Sequence, residues 1–432
     1  MSGADGAGRR MPCVCSAILG FSSETKRLYG ALRLKKASVF TTTAILAALL
    51  LAGCGGGDEN TQQDTTSKLK NRAFVTNSFF GYVAIVDADL DRQTAFSIQV
   101  GTNVTYMVPT PDKKHILTYS DGSTSVSLIQ VDAEAPSAII GLPSWSESIA
   151  ITSDAKTGYA AVKNATVTGA APGAIQVLDF ANQKISSTIP IPSVRWLALN
   201  HAGTRLLAFS DQSDVVRLVD LTPTTPTVTV VTGTFSRPVA AYFTADDSKA
   251  YILSCGTECG ATGAVPPDTK ASVTELTIAS GATRTVSVNA ATVALLDGNT
   301  LYVAGAPGGS GGTLDTVDVS TMTRSSSVAI GPGSHRVIKS GGGKIWVGAT
   351  GCGTAEGCLS VFTPGGNVIV DTPGTGQTSK GAVTGMSVVS GRNLMYVVEG
   401  GQLRSYDLGS AADVTPFSLD IRGTLYDVVT VP

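Results

Sequence analysis

The sequence predicts an all-β protein with the β-propeller fold, built from eight four-stranded blades. The first observation is a repeat, because equivalent apolar segments recur every 43 to 50 residues from Phe74 onward. The second is that each repeat holds four short strand-like segments separated by turns, a pattern typical of propeller blades. The third is composition, since 48 glycines and only 15% charged residues fit a chain made of turns and buried strands.

Each unit opens with a short apolar strand, and a second strand ending near an aspartate follows, as at Asp87. Apolar and polar residues alternate in several of these strands, as half-buried strands require, and Gly, Asn, Asp, Ser and Pro cluster between them. If two of the longer units are misread, the alternative is seven blades. The opening strands align on Phe74, Leu117, Ala160, Leu207, Ile252, Tyr302, Trp346 and Tyr396.

The phase of the repeat predicts how the ring closes. The propeller domain, residues 71–432, begins with an opening strand and ends with the strand type that precedes it, at 426–431. The C-terminal strand is therefore expected to pair with the first three strands and complete their blade. Such closure leaves few free sheet edges.

The best-formed repeats resemble a known family. Residues 73–77 (Ala-Phe-Val-Thr-Asn), the strand at 83–87 and the turn at 108–112 (Val-Pro-Thr-Pro-Asp) resemble the YVTN-type β-propeller repeat. The resemblance extends over nearly all of the propeller domain, although glycines at 341–343 replace the Pro-Asp turn in one unit. The related lactonase-type propellers are a weaker match, and they make lactone hydrolysis a candidate activity.

The N-terminal segment, residues 1–53, is predicted to be a signal peptide. A basic region with Arg33, Lys35 and Lys36 precedes an apolar run at 37–50 and the motif Leu51-Ala52-Gly53-Cys54. This order resembles the lipobox of bacterial lipoproteins, which implies a lipid on Cys54. The alternative is an ordinary membrane anchor, but the run is shorter than the roughly 20 residues that a spanning helix needs.

The predicted location of the protein is the cell envelope. Residues 54–70 are Gly-rich and then polar, which predicts a lipidated, flexible tether. Resemblance to known lipoproteins favours the outer membrane, facing the periplasm or the cell surface, because no aspartate follows Cys54. Residues 1 to about 30 form an overlong extension before the signal, which indicates a start site downstream of Met1.

Four cysteines in the propeller domain predict two local disulfides. One pair lies in Cys-Gly-Thr-Glu-Cys and the other in Cys-Gly-Thr-Ala-Glu-Gly-Cys, both after the opening strands of their units. Disulfides are typical of exported proteins. A single zinc site shared by all four is the alternative, although these spacings differ from the usual two-residue knuckle. The predicted bonds are Cys255–Cys259 and Cys352–Cys358.

One face of the propeller is predicted to carry the function, and we name it the insertion face. It contains the loops that follow the opening strands and the loops that enter the innermost strands. Long insertions lie there, at 163–173, 255–270, 305–312 and 351–357, whereas the opposite, far face has mostly tight turns. Binding residues tend to lie on variable loops held by a rigid scaffold.

Alignment of the innermost strands predicts which side chains surround the channel mouth on this face. Glu147, Arg195, Arg237 and Arg336 lie beside the aligned positions, and arginines with aromatic rings suit a sugar acid or a peptide carboxylate. His335 with Glu147 or Asp427 is a candidate general-base pair. Trp196 is also compatible with packing between blades. The aligned positions hold Tyr106, Ser148, Trp196, Ala240, Ala291, His335, Gly385 and Asp427.

These observations favour a binding or assembly scaffold for an envelope protein or glycan. A lactonase-like hydrolase is the second hypothesis, and a purely structural envelope component is the third. The net charge of −2 gives no electrostatic basis for nucleic-acid binding. No cofactor motif is present, and Asp87, Asp89 and Asp91 resemble only the start of a calcium loop, so capping of a hairpin turn is the simpler interpretation.

Overall fold

The computed structural model describes residues 69–120, 122–262, 270–307, 311–353, 357–370 and 380–432. The predicted signal peptide, Cys54 and nearly all of the predicted tether lie outside this part of the chain. Parts of three predicted insertions, at 263–269, 308–310 and 354–356, also lie outside it. Within the described ranges, no helix is both long enough and apolar enough to cross a bilayer.

The first four blades are antiparallel sheets of four strands each. Blade 1 consists of β1 (Arg72–Asn77), β2 (Tyr82–Asp87), β3 (Arg92–Gln99) and the last strand of the chain, β31 (Leu425–Val431). Blade 2 consists of β4 (Tyr106–Pro109), β5 (His115–Tyr119), β6 (Ser125–Gln130) and β7 (Ala135–Gly141). Blade 3 consists of β8 (Ser148–Ile151), β9 (Thr157–Val162), β10 (Ala174–Asp179) and β11 (Lys184–Pro190). Blade 4 consists of β12 (Val194–Leu199), β13 (Arg205–Ser210), β14 (Val216–Asp220) and β15 (Thr227–Val230).

The next three blades repeat this arrangement, and blade 8 has three strands plus an isolated bridge between Tyr406 and Asp413. Blade 5 consists of β16 (Pro238–Phe243), β17 (Lys249–Ser254), β18 (Ser272–Thr277) and β19 (Thr283–Ser287). Blade 6 consists of β20 (Val293–Asp297), β21 (Thr300–Gly305), β22 (Gly312–Asp318) and β23 (Thr323–Ile330). Blade 7 consists of β24 (Ser334–Gly341), β25 (Lys344–Thr350), β26 (Leu359–Phe362) and β27 (Val368–Val370). Blade 8 consists of β28 (Val383–Val389), β29 (Leu394–Glu399) and β30 (Gln402–Asp407).

The ring closes as predicted. Strand β31 pairs antiparallel with β1, placing Val429 opposite Phe74 and completing blade 1. Each innermost strand contacts the innermost strand of the next blade, from β31 through β4 and β8 round to β28 and back. The predicted eight-bladed propeller is therefore confirmed, and the seven-bladed alternative is wrong.

The hydrophobic core lies between the blades. Among the described residues, eight apolar clusters form, one at each interface between neighbouring blades. The side chains on which the opening strands were aligned are buried in these clusters, and Trp346 and Tyr396 are both fully buried. The repeat is visible in the sequence because the equivalent strand of each blade must place an apolar side chain in the core between two blades.

Turns on the far face share a local hydrogen-bond pattern. In blade 2, Thr110 Oγ1 donates to Asp112 Oδ1 at 2.7 Å, and the His115 amide donates back to Thr110 Oγ1 at 3.1 Å. The turn residue Lys113 has a φ of 57°, the left-handed conformation that such a tight turn requires. The same pairing recurs in blades 3 and 5, through Thr152 with Asp154 and Thr244 with Asp246.

The acidic segment after β2 also makes turn contacts rather than the calcium loop that was the alternative. Asp87 Oδ1 accepts the amides of Asp89 and Leu90 at 3.0 and 3.2 Å. Asp91 forms an ion pair with Arg392 of blade 8 at 2.6 Å. Asp89 Oδ1 accepts the Asn71 side-chain amide at 2.6 Å. Each carboxylate thus has a partner within the protein, and the bonds of Asp87 match the capping interpretation.

Candidate ligand-binding site

The two disulfides lie in equivalent loops on the insertion face, as predicted. Cys255 and Cys259 bracket a single 3-10 turn, with Cα atoms 5.6 Å apart. Cys352 and Cys358 are joined after β25, with Cα atoms 5.5 Å apart. The alternative of a zinc site is therefore wrong, because all four sulfurs are used in disulfide bonds. The described residues contain no other cluster of His, Cys, Asp and Glu that could hold a metal ion.

A cavity of about 600 Å³ opens at the channel mouth, and it gathers most of the predicted residues. They come from the inner strands of blades 2, 4, 5 and 7 and from the loops that precede the inner strands of blades 3 and 5. Ser148, Ala291, Gly385 and Asp427 do not line this cavity. The predicted residues that do line it are Tyr106, Glu147, Arg195, Trp196, Arg237, Ala240, His335 and Arg336.

β-bulges explain why charged residues project into the mouth. The register of the inner strand shifts between Val194 and Trp196 in blade 4, and again between His335 and Val337 in blade 7. A bulge inserts one extra residue and redirects its side chain. The extra residues are Arg195 and Arg336, and both line the cavity. A regular inner strand would alternate its side chains between the two neighbouring interblade cores.

Arg195 is held in a network of opposite charges. Its Nε donates to Glu147, its Nη1 donates to Asp211 Oδ1 at 3.0 Å, and Asp211 also pairs with Lys163. Burial acts to raise the pKa of Asp211, but the hydrogen bonds from Lys163 and Arg195 bring it below its usual value. The Arg195 guanidinium carbon lies 4.3 Å from the Trp196 ring centroid, a cation–π contact. Arg195 is therefore largely neutralised rather than open to an anion.

Arg237 is positioned by its backbone. Its φ is 53°, in the left-handed region, and its amide donates to Asp214 Oδ1 at 2.9 Å. Its guanidinium lies 3.5 Å from the same carboxylate. The Arg237 carbonyl accepts the Cys255 amide at 3.1 Å, which connects this turn to the first disulfide loop.

His335 is not arranged as the candidate general base. It is only 2% exposed, and its Nε2 lies 3.0 Å from the Gly331 carbonyl oxygen. Burial lowers the pKa of the ring to about 4, although the hydrogen bond to Gly331 acts in the opposite direction. Glu147 is bonded to Arg195, so the structure does not pair the histidine with that carboxylate.

Asp427, the other predicted partner of His335, connects two blades. Its Oδ2 accepts the Met107 amide of β4 at 2.9 Å, and its Oδ1 accepts the Val428 amide at 2.8 Å. Burial raises the pKa of Asp427 to about 7, although these hydrogen bonds oppose the shift. Ser148 acts in the same way, since its Oγ accepts the Leu197 amide of β12 at 3.0 Å. Both were predicted to surround the mouth, and both instead join inner strands.

Arg336 is the open cation of the site. Its side chain is exposed to the channel, and it has no hydrogen bond or ion pair with any described residue. It also lines a second cavity of about 480 Å³, which extends along the channel to Lys113 at the far face. Sequence alignment missed Lys113, Lys339 and Tyr426, which line this second cavity. They lie deeper because the inner strands run the length of the channel, beyond the mouth positions that the aligned residues mark.

Comparison with known proteins supports the fold. No protein-family model matches the chain, and no curated protein matches it. The solved structure of dihydro-heme d1 dehydrogenase NirN in complex with DHE is similar, with a TM-score of 0.60, 14% identity, and 83% of this chain and 74% of that chain covered. A functionally unknown protein from Desulfotomaculum acetoxidans DSM 771 has a TM-score of 0.50 and 15% identity, with 82% of this chain and 98% of that chain covered. Identities this low establish the β-propeller fold alone.

Proposed function

We propose that the protein is an exported, lipid-anchored propeller of the YVTN type that captures an envelope protein or glycan at the mouth of its channel. One observation carries the proposal. Side chains from six blades converge on a single cavity on the insertion face, and one of its cations, Arg336, has no side-chain partner among the described residues. A rigid ring with such an opening is suited to binding.

The surroundings of the cavity support binding rather than turnover. Arg195, Glu147 and Asp211 hold one another in place, so the wall beside Trp196 is preorganised. Arg336 can then approach an anionic group on the ligand without first breaking an ion pair. A preorganised wall with one available charge fits recognition of a partner.

The proposed lipid anchor has separate support. The basic region, the apolar run and the motif ending in Cys54 occur in the order found in lipoproteins. The two disulfides are compatible with export, since such bonds persist in oxidising compartments. Radiolabelled palmitate should be incorporated into the wild-type chain and not into Cys54→Ala. Equal labelling of the two proteins would refute the anchor.

The binding function is tested by crosslinking in intact cells. A photoreactive residue placed at Gln212, which lines the cavity, should capture one major partner from the envelope. Capture should fall at least tenfold in Arg336→Ala. His201→Ala serves as the control, because His201 is exposed on the far face and pairs there with Asp247. Capture that is insensitive to Arg336 would contradict the proposal.

The hydrolase alternative has less support from the geometry. A general base needs a hydrogen-bond partner that orients it and a pKa near the working pH. The His335 ring is buried, with its pKa lowered to about 4, and it bonds only to a backbone carbonyl among the described residues. Hydrolysis of a lactone panel that disappears in His335→Ala would restore this alternative.

A further inference from the structure

Beyond the mouth, the channel contains a second cavity that is continuous with the cavity at the mouth. The second cavity, of about 480 Å³, shares Tyr106 and Arg336 with the cavity at the mouth. The two hydroxyls of Tyr106 and Tyr426 lie 3.1 Å apart at this junction, with their rings edge to face. A ligand longer than one ring system can therefore extend past Arg336 into the channel.

Available positive charge is concentrated in the second cavity. Lys113, Arg336 and Lys339 line it, against the single carboxylate of Asp427. Among the described residues, the side chains of Arg336 and Lys339 make no hydrogen bond or ion pair, although Lys339 interacts electrostatically with the Asp427 carboxylate. Lys113 donates only to the Thr430 carbonyl oxygen, at 3.3 Å. The whole chain has a net charge of −2, so this local excess of cations is a property of the channel.

The other two arginines of the first cavity are, by contrast, already compensated. Arg195 contacts both Glu147 and Asp211, and Arg237 contacts Asp214. An anionic ligand therefore gains most binding energy from Arg336 and Lys339, which both lie on β24. These two residues are three positions apart, which is roughly 10 Å along an extended strand, so the pair suits two anionic groups on one molecule.

The inner strands are poorly suited to add a peptide strand. A peptide that extends a sheet must bond to free backbone groups at its edge. Side chains from neighbouring blades already occupy some of these amides. Asp427 accepts the Met107 amide, Ser148 accepts the Leu197 amide, and the Tyr242 hydroxyl accepts the Ala294 amide at 2.8 Å.

The remaining lining offers rings and hydroxyls. Tyr106 and Tyr426 present partly exposed aromatic rings, which can pack on the apolar face of a sugar. Hydroxyl side chains also line both cavities, and a hydroxyl that makes no bond within the protein can hydrogen-bond to a sugar hydroxyl. Ser334 at the mouth and Thr384 along the channel have no side-chain hydrogen bond among the described residues, whereas the hydroxyls of Ser210, Thr292, Ser387 and Thr430 already bond to the protein.

We infer that the channel binds a short acidic oligosaccharide, with one carboxylate at Arg336 and a second at Lys339. This inference rests on the proposed binding function and names its ligand class. The mouth holds one sugar unit beside Trp196 and Tyr106. The next sugar unit lies past Tyr106 and Tyr426, in the second cavity beside Lys339.

Titration calorimetry on the full-length protein in detergent tests the inference, with galacturonic acid, its linear dimer and trimer, and neutral maltotriose as probes. The acidic trimer is expected to bind at least tenfold more tightly than the monomer, and maltotriose to bind weakly. Arg336→Gln should weaken both acidic probes about tenfold. Lys339→Gln should weaken the trimer about tenfold and leave the monomer unchanged. Lys156→Gln on the far face is the matched control, and it should change neither probe.

Three outcomes would overturn the inference. Equal binding of monomer and trimer, or a trimer affinity that is insensitive to Lys339→Gln, would remove the second contact point. Preference for a short oligoglutamate over the acidic sugars, with loss in Arg336→Gln, would replace the saccharide by a peptide while retaining the binding function. If no anionic probe binds and the Gln212 crosslink is also insensitive to Arg336, the proposed function fails as well.

Discussion

The far face and the insertion face of the propeller differ in how far their contacts repeat from blade to blade. On the far face, turns close through short-range hydrogen bonds, such as that from Thr110 to Asp112, and the same pairing recurs in blades 3 and 5. Contacts between blades occur there too, as between His201 and Asp247. On the insertion face, the contacts at the mouth join different blades, as when Arg195 in blade 4 contacts Glu147 before blade 3. The recurring bonds therefore maintain the ring, and departures from the repeat build the site.

The largest expected effect concerns His335, which lies behind the insertion face. Its pKa is lowered from 6.5 to about 4 by burial, so the unfolded chain takes up a proton below pH 6.5 that the folded protein does not. Stability is therefore fully present above that pH and is lost as pH falls. We expect this one group to remove about 3 kcal/mol between about pH 7 and pH 4.

Urea denaturation of wild type and His335→Gln across this pH range measures the effect. The variant should lose less stability on acidification than wild type. Parallel curves for the two proteins would show that His335 takes up a proton equally in both states.

The next effect tests whether the first disulfide positions the insertion face. Cys255 and Cys259 are separated by 4 residues, and closing so small a loop contributes about 2 kcal/mol by chain entropy. Replacing both cysteines by serine should lower the free energy of unfolding by about that amount and should also weaken ligand binding, because Cys259 lines the cavity.

Guanidinium denaturation and calorimetry with the acidic trimer would measure both quantities. The matched control is the pair Cys352→Ser and Cys358→Ser, which should lower stability and leave binding unchanged, since neither cysteine lines the mouth cavity. Equal loss of binding in both double variants would contradict a local role for the first disulfide.

The third prediction tests whether ligand affinity depends on how many cations at the mouth are paired with carboxylates. Asp211 pairs with both Arg195 and Lys163, so Asp211→Asn should release Lys163 and leave Arg195 paired with Glu147 alone. Removing one carboxylate beside an anion site is expected to raise affinity for the acidic trimer about tenfold. Asp154→Asn, on the far face, should leave the affinity unchanged. A lower affinity in Asp211→Asn would mean that the network matters for geometry more than for charge.

The smallest effect belongs to the far face. Thr110→Val removes a buried hydroxyl that bonds to Asp112 and accepts the His115 amide. We expect a loss of about 1 kcal/mol in the free energy of unfolding. Ligand binding should not change, which thermal denaturation and calorimetry on the same variant would check. A change in affinity here would show that the two faces are coupled.

Much of the fold could be predicted from the sequence, because the opening strands bury the same kind of side chain in every blade. Trp346 and Tyr396 occupy equivalent interblade positions, and the alternation of apolar and polar residues around them can be seen in the sequence alone. Ring closure by the last strand followed from the phase of the repeat. Both disulfides followed from cysteines close together in sequence, since a local loop brings such pairs within reach.

The candidate site was less predictable, because its properties depend on pairs distant in sequence. Arg195 and Arg336 are alike in the sequence, and only the position of Asp211 and Glu147 makes the first compensated and leaves the second available. Asp427 was predicted to lie at the mouth, and its carboxylate instead accepts a backbone amide of a strand 320 residues away. Lys339 was missed because its role depends on the channel that eight separate strands enclose.

The propeller, its closure and its disulfides could be predicted without a structure, since each depends on local periodicity or on short loops. The tertiary structure alone decided which charges are free, which histidine is buried and how far the cavity extends. The physical reason is that burial and electrostatic compensation are set by neighbours in space. In a ring, those neighbours come from adjacent blades, and the first blade meets the last.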